Sequence, residues 1–261
     1  FYITSNKISS SLFKPNNKEI RKYKNYKSHE IKEIKKVKTK TIQNLEKIKK
    51  IDFVKIDVEG AELEILRGMG DKLNDVIGVE IESQYIERYL GSPLFNEVHN
   101  FLLKNKFELY LVNNETWLKT DKFNSISNHK LVWGDFLYFK KTEILFNDDI
   151  PVDKRNDNLN RLIYMLIFYK FYDESNFIVK EYSEKYKLSS ESQRVLLDFI
   201  DLNIESNIII FLKKFFKLIF AFIIYSTSFF TSYRKAGSLY FKKSFSEFFL
   251  ILSNIFKFSD K

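Results

Sequence analysis

Apolar positions between Ile51 and Phe139 change period several times, and each change marks an element. Ile51, Phe53, Val54, Ile56 and Val58 make the short apolar run of a buried strand. That run ends at Asp57, Glu59 and Gly60, and helical spacing follows in Ala61, Leu63, Ile65 and Leu66, with Gly68 and Gly70 where glycines close helices. Val76–Ile81 predicts a second buried strand, ending at Glu80 and Glu82. Leu94–Leu103 has helical spacing, Phe107–Val112 predicts a third strand and Leu131–Phe139 a fourth. The order β-α-β-α-β-β implies an α/β fold with a mostly parallel sheet and an antiparallel closing pair. In such sheets ligands bind outside the carboxyl ends of the strands, which is where Asp57 and Glu59 fall.

The flanks are less regular. Phe1–Thr4 predicts a strand, Ser5–Asn17 is polar with a Pro15-Asn16-Asn17 turn, and Val37–Ile48 passes from a short alternating strand into a helical turn. After Lys140 the strand signals fade. Residues 147–158 read as a polar linker, which sets the expected organisation: an α/β domain at 1–146, the linker, and a helical extension at 159–261. Leu159–Tyr172, Phe177–Tyr186 and Glu191–Leu202 are the expected helices, the third with capping residues at Ser189, Ser190 and Ser192.

Ile208–Tyr233 is the most apolar stretch, yet its charge-free part, Leu218–Tyr233, falls short of the roughly 18 to 20 residues of a spanning helix. Residues 239–258 are aromatic and amphipathic, with Lys242, Lys243 and Lys257 beside the apolar face. A packed helical bundle is the first reading of this region. A helix lying on a membrane surface, giving peripheral contact through 208–258, is the second, and a true span the third. Cytoplasmic placement with that membrane association is the matching localisation.

Charge alters one part of this picture. The net charge of +9 over 261 residues is concentrated between Lys18 and Lys50, where 13 Lys/Arg stand against 4 Glu. A solvated lysine-rich connection is the plainer reading of that segment, and anion or lipid contact the sharper one. Only Tyr23 and Tyr26 offer stacking surfaces there, so no nucleic-acid partner is expected. Cysteine is absent, which removes disulfides and thiolate metal sites. The chain begins at Phe1 and reads as a piece of a longer protein. His29, His99 and His129 are unclustered and read as surface or satisfied histidines.

The string DFVKIDVEGAELEILRG at 52–68 resembles the FkbM family of S-adenosylmethionine-dependent methyltransferases, whose hallmark is a Lys-Ile-Asp-x-Glu-Gly-x-Glu run. TKTIQNL, VEIESQYIERYLGSPLFNEVHNFLLKNKFELYLV and WGDFLYFKK are similar to the family's flanking segments, so the resemblance covers roughly residues 1–140. It implies a Rossmann-like sheet represented by its fourth to seventh strands, S-adenosylmethionine as cofactor, and O-methylation of a small-molecule or glycan acceptor. A strand–Gly-x-Gly–helix cofactor loop is missing from the sequence, so this chain alone is expected to be inactive; a non-catalytic scaffold or binding module is the rival reading.

On this resemblance Asp57 is the catalytic candidate. Its carboxylate could take a proton from an acceptor hydroxyl, bind the cofactor's ammonium, or join Glu59 at a metal. The metal role is the weakest, since no histidine lies near enough in sequence to support it; no metal is therefore assigned. Glu59, Glu80 and Lys55 are candidates for cofactor or substrate contact, with a cross-strand ion pair as the duller role for Lys55. Gly60 is expected to permit the turn, and Glu62 and Glu64 to favour the helix dipole.

Overall fold

The computed structural model describes residues 1–119, 128–186 and 193–202, with single positions at 204, 212 and 215. The chain divides into two compact units, Phe1–Met165 and Leu166–Lys261. The first unit opens with β1 (Tyr2–Thr4), a short helix α1 (Asn17–Ile20) and β2 (Ile31–Ile34), which pairs antiparallel with β1. The main sheet holds β3 (Phe53–Ile56), β4 (Gly78–Gln84), β5 (Phe107–Trp117) and β6 (Lys130–Lys140) in the order β3-β4-β6-β5. β3 and β4 are parallel, while β6 runs antiparallel to both its neighbours. Helices α2 (Glu62–Gly68) and α3 (Phe95–Lys104) supply the crossovers. This is a mixed α/β architecture, consistent with a partial Rossmann-like sheet, followed by helices.

Strand alternation decides which residues reach the core. Ile56, Val79, Ile81, Phe136 and Tyr138 lie on one face of the sheet and pack with Leu63 and Leu66 of α2 and Val98 and Leu102 of α3. The opposite face carries Lys55, Glu80, Glu82 and Asp135, brought level by a register that pairs Lys55 with Glu80 and Glu82 with Asp135. Gly78 is required there by crowding: an added Cβ would lie 2.7 Å from the Phe53 ring and 2.9 Å from that of Phe139.

The structure corrects several boundaries. No strand forms at 37–41; the alternating strand is β2, six residues earlier, because that segment has β1 as a partner. The lysine-rich segment is not merely a solvated connection, since it buries Ile20, Tyr23 and His29. Part of the expected linker is helical: α4 (Thr142–Leu145) is followed by α5 (Val152–Phe168), and the division between the two units falls inside α5. Buried Asn158 anchors that helix by donating to the Leu145 carbonyl at 3.0 Å. In the second unit α6 (Tyr172–Tyr186) buries Ser175, Ile178, Val179 and Tyr182 at helical spacing, and 193–202 is also helical. The capping residues Ser189, Ser190 and Ser192 lie outside the described residues, as do 208–258 apart from Leu212 and Phe215. Among the described residues no helix is long and apolar enough to cross a membrane.

Candidate functional site at the strand tips

The turn after β3 is built from two residues with positive φ: Glu59 at 58° and Gly60 at 108°. Glycine takes the second position at little cost, and there is no room for a side chain, since a Cβ would meet Ser92 at 3.1 Å, Gln84 at 3.3 Å and Tyr89 at 3.4 Å. Glu62 holds the turn from the helix side. It is buried, not solvated in a first helical turn, and its Oε1 accepts from the backbone N–H of Gly60 at 2.9 Å and of Val58 at 3.3 Å. Burial raises its carboxyl above the ordinary range, and the backbone donors pull it back. On the outer side Ser11 donates to the Glu59 carbonyl at 2.6 Å.

Asp57 and Glu59 converge across the turn. The carboxylates of Asp57, Glu59 and Glu82 lie within 4.8 Å of one another. Asp57 is exposed, Glu59 half-buried and Glu82 buried. Asp57 presents an exposed carboxylate at the mouth of the cluster. The three carboxylates are near enough to share a cation, and that countercharge is supplied by a guanidinium. Arg88, 3% exposed, pairs with Glu82 and lies 3.1 Å from Glu59.

Arg88 is the residue that sequence reasoning missed. It follows Glu82 in the loop after β4, and the N-terminal segment fixes that loop: Asn16 N–H donates to the Arg88 carbonyl at 2.7 Å, and Leu90 N–H to the Lys14 carbonyl at 2.8 Å. The guanidinium lies 5.5 Å from the ring centroid of Tyr89, 5.8 Å from that of Trp117 and 5.7 Å from that of Trp133. The Tyr89 hydroxyl lies 2.8 Å from a Glu59 carboxylate oxygen and 3.0 Å from the Ser9 carbonyl. Burial pushes Glu82 up to about 8, with Arg88 pulling down and the Glu59 and Asp57 charges pushing further up. Glu59 is raised for the same first reason, and Arg88 and the Tyr89 hydroxyl oppose it. Burial likewise raises Tyr89, keeping it a neutral donor.

The other sequence candidates lie elsewhere. Lys55 and Glu80 form the cross-strand ion pair, with Lys55 exposed. Glu80 holds the Lys55 ammonium in its charged form, raising its pKa. Both stand on the polar face of the sheet one step back from the turn. Asp135, opposite Glu82, is raised by burial and countered by Lys55.

A cavity of about 540 Å³ opens beside this cluster, lined among others by His29, Glu59, Arg88, Trp117 and Trp133. Both of its tryptophans pack against a small apolar group of Tyr23, Ile86 and Val132. His29 is thus not a surface histidine: it is 2% exposed, lies 5.6 Å from the Trp117 ring and 5.8 Å from that of Tyr89.

An acidic tip after a parallel strand, a glycine turn into a helix and an adjoining cavity are the features of a candidate strand-tip site of the α/β class. Residues 2–109 match the family model for the methyltransferase FkbM domain, so this N-terminal part is similar to that domain. No curated protein and no solved structure gives a significant match.

The family's cofactor finds no glycine cradle among the described residues. Gly68 and Gly70 follow α2 instead of a strand; a Cβ at Gly68 would touch Thr41 at 3.5 Å, and one at Gly70 would collide with the Gln43 side chain. Both glycines are therefore packed by the chain itself. The described residues do not fit the donor's cradle, and no step is derived through it.

Proposed function

We propose that the first unit provides the acceptor-facing part of an FkbM-type methyltransferase site, acting on a hydroxyl of a saccharide or another polar metabolite. The observation that carries this reading is the 57–60 turn, which sets an exposed Asp57 carboxylate beside a cavity at the carboxyl ends of the sheet strands. Asp57 has no hydrogen-bonded or ion-paired side chain among the described residues, so it is free to orient an acceptor hydroxyl or accept its proton. Glu59 and Glu82, neutralised by Arg88, keep the surroundings fixed. S-adenosylmethionine is the donor that the family resemblance implies.

The lack of a glycine cradle among the described residues favours a second reading, a non-catalytic binding module. Asp57→Asn separates the two. In the full protein supplied with labelled S-adenosylmethionine, the substitution should reduce methyl transfer by at least the hundredfold typical of losing a general base, with the unfolding midpoint unchanged. Unaltered turnover removes Asp57 from the reaction. Calorimetry showing no affinity for the donor favours the binding module.

A further inference from the structure

We infer that the cavity bounded by His29, Glu59, Trp117 and Trp133 is the acceptor pocket, and that it takes a sugar ring bearing an anionic group, with His29 Nε2 accepting a hydrogen bond from a ring hydroxyl. The inference rests on the function proposed above for the name acceptor, but the pocket's chemistry stands on its own geometry.

The hydrogen bonds of the short helical segment Lys24–His29 fix the histidine tautomer. Ser28 Oγ donates its one proton to the Asn25 carbonyl at 2.6 Å. It can therefore only accept from His29 Nδ1, which stands 2.7 Å away, so Nδ1 carries the ring hydrogen. Burial, with the Arg88 charge beside it, lowers the His29 pKa to about 4, and the ring is neutral at physiological pH. Nε2 is then a bare acceptor. It is buried and has no hydrogen-bond partner among the described residues. A buried acceptor without a donor is costly, and one lining a cavity is met by whatever occupies that cavity.

The remaining walls narrow the class. Glu59 presents a second acceptor, so the occupant must bring hydroxyl or amine donors. The half-buried indoles of Trp117 and Trp133 offer flat apolar surface suited to the C–H face of a saturated ring. Lys24 and Lys27 stand exposed at the cavity rim and belong to the most basic part of the sequence, which favours an anion there. Donors, a C–H face and a negative group together describe an acidic sugar, such as a uronate or a sugar phosphate. The cavity volume lies within the roughly 300–1,000 Å³ of small-molecule sites.

The protein reports on this pocket directly, because its two tryptophans are both in the wall. The full chain is titrated without any methyl donor, using glucuronate, glucose 6-phosphate, glucose and inorganic phosphate, and tryptophan emission is followed. The acidic sugars should shift emission saturably, and glucose should bind at least tenfold more weakly. His29→Phe should weaken the acidic sugars at least tenfold, while His29→Gln, which keeps an acceptor, should recover part of that loss; circular dichroism checks that both variants fold. Three results overturn the inference: no saturable shift with either acidic sugar, inorganic phosphate binding as tightly as glucose 6-phosphate, or wild-type affinity in a folded His29→Phe. Because no donor is present, binding without methyl transfer would uphold the pocket while refuting the proposed reaction.

Discussion

Arg88→Met tests the electrostatic core of the site. The substitution keeps the length of the side chain and removes a 3%-exposed guanidinium shared by Glu59 and Glu82. Removing one partner of a buried ion pair typically costs ~3–5 kcal/mol, because the charge left behind has neither water nor counterion. Here the remaining carboxylates can escape by holding protons, so the cost must depend on pH. Both carboxyls are already raised in the wild type, Glu82 to about 8. A group with a raised folded pKa contributes stability below its unfolded pKa and loses it as pH rises through the folded value. The substitution raises both folded values further, so its added penalty opens only above the wild-type ones, for Glu82 above about 8. At pH 5.5 the loss should be small, about 1 kcal/mol from lost ring contacts. By pH 9.5 it should have grown by about 2 kcal/mol, since each pH unit above about 8 adds up to about 1.4 kcal/mol at Glu82. Urea unfolding followed by far-ultraviolet circular dichroism at both pH values measures this. A loss that is equal at the two, or below ~1 kcal/mol at the higher, refutes the account of Arg88 as the buried countercharge.

Two further predictions concern the frame around the site. Gly60→Ala forces a side chain onto φ 108° and against Ser92, and should cost roughly 2–3 kcal/mol in urea unfolding, whereas Gly91→Ala, at φ 75° with open space around it, should cost only about 1; equal losses would refute the crowding argument. Lys140 is buried with Nζ donating to the carbonyls of Leu73 at 2.9 Å and Asn74 at 2.8 Å, and burial lowers its pKa from 10.5 to about 8. Its folded form binds fewer protons, so its contribution to wild-type stability rises between pH 8 and 10.5; Lys140→Met should flatten that rise and lower stability at pH 7 by ~1–3 kcal/mol, and an unchanged slope would refute it.

Most of the main sheet was legible because its strands announce themselves locally. β3, β4 and β6 are short apolar runs between turn residues, and the observed strand order needs only the rule that two successive strands close antiparallel. β5 was legible only in its first half. Past Val112 the side chains are polar and exposed, and Asn113–Trp117 is held in the sheet by pairing with β6, not by its own pattern. β2 was missed for a related reason: Ile31–Ile34 has a single half-buried residue, so its strand state depends on β1, nearly thirty residues away.

The site divides along the same line. Asp57, Glu59 and Gly60 belong to one contiguous turn, and their residue types alone state that the backbone bends there and that carboxylates stand at a strand tip. Arg88, Tyr89, His29, Trp117 and Trp133 come from four separate stretches that only tertiary structure joins. One physical signal did exist. Glu59 and Glu82 end adjacent parallel strands, so both had to converge on one edge of the sheet, and two converging carboxylates cannot be buried without a cation. Arg88 is the arginine nearest in sequence beyond Glu82, and it answers that demand. His29 gave no such signal, since a lone histidine in a lysine-rich segment has many solvated explanations. Its burial follows from the docking of 9–29 against the loop after β4, where Tyr89 reaches the Ser9 carbonyl and Asn16 the Arg88 carbonyl. The N-terminal segment, polar in sequence, is therefore part of the site's construction: without its backbone hydrogen bonds the loop carrying Arg88 would have no fixed position from which to neutralise the strand-tip acids.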